Sequence, residues 1–108
     1  FGLDSDGNID SLIPVWMDAG IDILYPFEVQ AGMDVLAVRK KYGKELRIWG
    51  GVDKRCLAGG PAAIDEELER IRPLIREGGY VPMLDHSAPP DIPYENYCYF
   101  LKKLEGML

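Results

Sequence analysis

The side chains best suited to acid–base chemistry in this chain stand just past its short apolar runs. His86, the only histidine, follows Asp85 where the run Tyr80-Val81-Pro82-Met83-Leu84 gives way to a loop containing Pro89 and Pro90. Asp4 and Asp6 follow Phe1-Gly2-Leu3. Glu28 follows Ile21-Asp22-Ile23-Leu24-Tyr25-Pro26, and Asp53 follows Leu46-Arg47-Ile48-Trp49, with Lys54 and Arg55 beside it. Imidazole exchanges protons near neutral pH, and carboxylates can orient or anchor a substrate. His86 and Asp6 are therefore the candidate catalytic residues, and Asp4, Glu28 and Asp53 are candidate substrate-binding residues. Each has a structural alternative. Asp4 or Asp6 can bond amides in its own turn, Glu28 can be a solvated loop residue, and Lys54 and Arg55 can pair with neighbouring acids.

The same residues include a candidate metal-binding set. Asp4 and Asp6 alternate by two, so an extended backbone would point both carboxylates to one side, and His86 would complete a two-carboxylate, one-histidine set. No second histidine and no nearby cysteine supports that set, so no metal or other cofactor is expected. Phosphate-binding glycine motifs are absent. Cys56 and Cys98 stand too far apart for a zinc or redox pair and read as buried free thiols.

The elements that must position these residues follow a repeating pattern of apolar run, polar loop, helix and glycine. Strands are expected near residues 1–3, 21–25, 46–49 and 80–84. The spacing of Ile9, Leu12, Ile13, Trp16 and Met17 gives a first helix, with Ser11 as its N-cap and Pro14 in its first turn. Asp34 caps a helix over Val35–Tyr42 that Gly43 ends. Gly59-Gly60-Pro61 opens the longest helix, with Ile64, Leu68, Ile71 and Ile75 on its buried face and a kink at Pro73. Tyr97, Phe100, Leu101 and Leu104 mark a last amphipathic helix. Strands alternating with helices imply an α/β fold with right-handed crossovers and a parallel sheet. Roughly four such units make about half of a (βα)8 barrel, in which the loops after the strands share one face, and a doubly wound sheet fits the same pattern. The chain reads as one domain over residues 1–108.

Composition narrows the partners. The chain has 108 residues, 47% of them hydrophobic, and a net charge of −6. That acidity argues against nucleic acid and anionic membrane surfaces, and no apolar run is long enough to span a bilayer. A cytoplasmic protein acting on a small-molecule substrate is the expectation.

The segments LDSDGNIDSLIP, ILYPFEVQAGMD, RIWGGVDKRCLAGG and YVPMLDHSAPPDIPYEN together resemble the C-terminal half of the uroporphyrinogen decarboxylase superfamily. The resemblance implies a (βα)8 barrel and cofactor-independent decarboxylation of a tetrapyrrole-type carboxylate, with His86 matching the histidine after the last strand. A second branch moves methyl groups between corrinoid proteins and thiols, using zinc held by a His-x-Cys pair and a later cysteine. The matching positions here are Asp4, Asp6 and His86. The alternatives are thus corrinoid-linked methyl transfer with an altered metal site, or a non-catalytic half-barrel that acts by assembly. The resemblance also places the substrate-gripping arginines on an N-terminal half-barrel, which is expected as a partner. A lone half-barrel would expose sheet edges and an apolar face, with Ile21, Ile23, Ile48 and Met83 candidates for that face, so a homo-oligomer is expected.

Overall fold

Runs that are apolar throughout, rather than alternating, suit strands covered on both faces, and such strands pair in parallel. In the computed structural model, which describes residues 1–108, four do so: β1 (Gly2–Ser5), β2 (Ile23–Pro26), β3 (Arg47–Trp49) and β4 (Tyr80–Val81). All three pairings are parallel and the strand order is β1-β2-β3-β4. Expected β4 stops early because Pro82 has no amide to donate. Beyond it the ladder resumes only as a bridge between Val52 and Leu84.

Five α-helices alternate with the strands: α1 (Ile13–Asp18), α2 (Val35–Tyr42), α3 (Arg55–Gly59), α4 (Pro61–Glu77) and α5 (Tyr94–Glu105). This is the α/β architecture of half a (βα)8 barrel. Asp34 caps α2 as expected, accepting the Leu36 amide at 3.0 Å. Ser11 does not cap α1. Leu12 holds that position in helical backbone, so Pro14 is the second helical residue, where no amide is needed. Helix α3 was not expected, since its five residues are too few to show a period. Helix α4 continues through Pro73 to Glu77 and turns Leu74, rather than Ile75, fully inward beside Ile64, Leu68 and Ile71.

The core lies between the sheet and the helices. Leu24 and Ile48, adjacent in register, are fully buried in it and share it with residues of α2, α4 and α5 such as Val35, Leu68 and Phe100. Ile48 is therefore covered by helices and does not belong to the open face. That other face carries Tyr25 stacked on Trp49, with ring centroids 5.5 Å apart, together with exposed Val81 and Met83. In a closed barrel this surface is the packed interior. Cys56 is half-buried and Cys98 exposed, both as free thiols, so the expected burial of Cys98 does not hold. No helix is long and apolar enough to cross a membrane.

Arg39 lies buried in α2 against the chain leaving α4. Its guanidinium donates to the carbonyls of Gly78 and Gly79 at 2.8 and 2.9 Å. Nothing in its helical charge pattern distinguished it from exposed Lys40 and Lys41.

Candidate active site

The loops after the strands converge at one end of the sheet. Across a flat sheet, the three spacings from β1 to β4 would separate their ends by about 14 Å. The loops instead close over the concave side. His86 Nε2, from the loop after β4, comes within 4.0 Å of Asp6 Oδ2, from the loop after β1. That is longer than a hydrogen bond but within the reach of a rotation of two exposed side chains.

Glu28, from the loop after β2, is the third member. One ligand atom each from Asp6, Glu28 and His86 lies within 4.8 Å of the others. The Gly7 amide donates to Glu28 Oε1 at 3.4 Å, which links the first two loops. Asp4, Asp6 and His86 line a cleft of about 490 Å³, whose wall includes Tyr25, Met83 and Leu101. That volume suits a small-molecule site with polar groups at one end and apolar surface at the other.

Asp53 is placed elsewhere. It lines a separate hollow with Arg55, Cys56, Glu67 and Arg70. The Arg55 guanidinium bonds its carboxylate and holds it below the usual carboxylate range. In the same hollow, burial pushes the Cys56 thiol up to about 12, which leaves it inert as a nucleophile at neutral pH.

The loop after β3 is held by side chains of α4. Glu67 accepts the Asp53 amide at 2.9 Å, and Arg70 donates to the Gly51 carbonyl at 2.9 Å and to Asp34 at 2.8 Å. Asp85 is fully buried and is the residue whose role sequence reasoning missed. Its two oxygens accept the amides of Lys54 at 3.0 Å and Val29 at 2.9 Å. One carboxylate therefore ties the loops after β2, β3 and β4, and it does so at residues next to Glu28 and His86. Its position directly after buried Leu84 was the available signal.

A family model for uroporphyrinogen decarboxylase matches residues 5–106. The chain belongs to this family. No curated protein and no solved structure matched it. Membership agrees with the half-barrel, and the loops that carry Asp6, Glu28 and His86 lie within the matched residues of this uroporphyrinogen decarboxylase family chain.

Proposed function

We propose that this chain supplies the His86-bearing half of a decarboxylase-type barrel acting on a carboxylate-bearing small molecule of tetrapyrrole type. The approach of His86 to Asp6 over an apolar cleft carries this reading. In decarboxylation the bond to the carboxylate carbon breaks, carbon dioxide leaves, and the electron pair stays on the substrate carbon. A proton must then reach that carbon. Protonated His86 is the donor, and Asp6 steadies the charged imidazolium until transfer. Asp4 orients the substrate at the cleft wall. Apolar residues such as Met83 and Leu101 shed water, which favours loss of the substrate's charge.

A complementary half-barrel completes the substrate site, because no arginine or lysine lines this cleft to hold a polycarboxylate. In the assembled barrel, His86→Gln is expected to lower carbon dioxide release by about 10²–10⁴-fold, the usual worth of a positioned acid. A loss of less than about threefold would remove His86 from the mechanism. Alone, the chain is expected to show no turnover. It is also expected to associate through its open face, which sedimentation velocity at micromolar concentration would read as a species heavier than the monomer.

A further inference from the structure

Helices α4 and α5 pack side by side and leave a further hollow of about 510 Å³. Tyr99, Lys102, Lys103 and Gly106 recur at the three- and four-residue spacing of one helical stripe and line it, with Met107 beside them and Arg72 facing from α4. The cleft takes Tyr97, Phe100, Leu101 and Leu104 from a different stripe of α5, so the two sites share no residue.

The charge in this hollow runs against that of the chain. Three cations line it and no acid does, although the net charge is −6. Their donors are only partly used. Glu69 accepts from Nε and Nη2 of Arg72, which leaves Nη1 without an acceptor. Lys103 Nζ stands 3.7 Å from Asp65, an ion pair too long for a hydrogen bond. Lys102 is exposed and has no ion pair. Cations in a last turn suit the helix dipole, which accounts for Lys102 and Lys103 singly. It does not account for Arg72 opposite them.

Gly106 is the second observation. Its backbone is ordinary helix, with φ of −68° and ψ of −14°, and a Cβ there would come no closer than 3.5 Å to its neighbours. Neither backbone nor crowding calls for glycine, which costs a helical stretch about 0.5–1 kcal/mol relative to alanine. The space its side chain would take belongs to the hollow, beside the half-buried Tyr99 and Met107.

We propose that this hollow binds a small phosphomonoester, with its dianionic head among Arg72, Lys102 and Lys103 and its apolar body against Tyr99 and Met107. Three outer phosphate oxygens match three cationic donors, where a carboxylate would leave one unmatched. The volume suits a molecule of that size. The site does not rest on the decarboxylation reading, since it uses none of the same side chains.

The test is calorimetric titration of the chain with phenyl phosphate at about pH 7.5, where the ester carries nearly two charges. One molecule per chain is expected, with a dissociation constant below about 1 mM. Lys102→Gln breaks no ion pair within the chain, and Gly106→Leu fills the hollow while keeping every charge. Each is expected to weaken binding at least about tenfold. Lys44→Gln removes an unpaired cation outside the hollow and is expected to change affinity by less than about twofold. Benzoate, with the same ring and one charge, is expected to bind at least about tenfold more weakly. Circular dichroism confirms that each variant is folded. Absence of saturable binding to the folded chain overturns the proposal. So does binding that is unchanged in either Lys102→Gln or Gly106→Leu, that falls as far in Lys44→Gln as in Lys102→Gln, or that benzoate equals.

Discussion

Asp85→Ala is expected to lower the unfolding free energy by roughly 2–5 kcal/mol, a large share of the roughly 5–15 kcal/mol available to a domain. The change leaves the amides of Val29 and Lys54 without their acceptor. Each such orphan costs about 1–3 kcal/mol when water cannot replace the lost partner. Asp85→Asn keeps the volume and one accepting oxygen but turns an amide donor toward the second N–H, so its loss is expected to be intermediate. Urea unfolding of the three proteins reads the effect. A loss below about 1 kcal/mol in the alanine variant would show that Asp85 does not hold the loops together.

Gly50→Ala is expected to be at least as damaging, for a different reason. Gly50 has φ of +100°, and a Cβ built there lies 2.1 Å from the Pro26 carbonyl oxygen. That oxygen also accepts the Gly51 amide at 2.8 Å, so neither backbone can retreat without breaking the bond between the loops after β2 and β3. A loss of about 3–5 kcal/mol is expected from backbone strain and displacement together. Gly43→Ala is the control. It shares the positive φ, at +71°, but its Cβ would meet nothing within 4 Å. Its expected cost is only about 1–3 kcal/mol, from the backbone conformation alone. Equal losses for the two variants in urea would refute the steric account.

The parallel half-barrel was legible because apolar runs and glycine stops recur at the spacing of strand and helix, and a register slip would expose Leu24 and Ile48 together. The helix caps were less legible. Ser11 and Leu12 compete for one position, and the burial of Ile9 and Ile13 decides where the backbone turns. Asp6, Glu28 and His86 could be named because each follows an apolar run, yet Asp53 has the same signature and lies apart. The difference is Arg55, two residues on, which captures its carboxylate. Asp85 and Arg39 were missed as structural residues because both act on backbone groups more than 30 residues away, at separations of 31–56 residues. Pairings of that kind leave no local pattern.

The buried latch also sets an order in time. Val29 and Asp85 are 56 residues apart in the chain, so at ordinary ribosomal speed the amide exists about 3–11 s before its acceptor is made. Until then the loops after β2 and β3 are joined only by the Gly51–Pro26 backbone bond and by Arg70. During synthesis, the segment that follows β4 is the one that brings the third loop to the other two and completes the site.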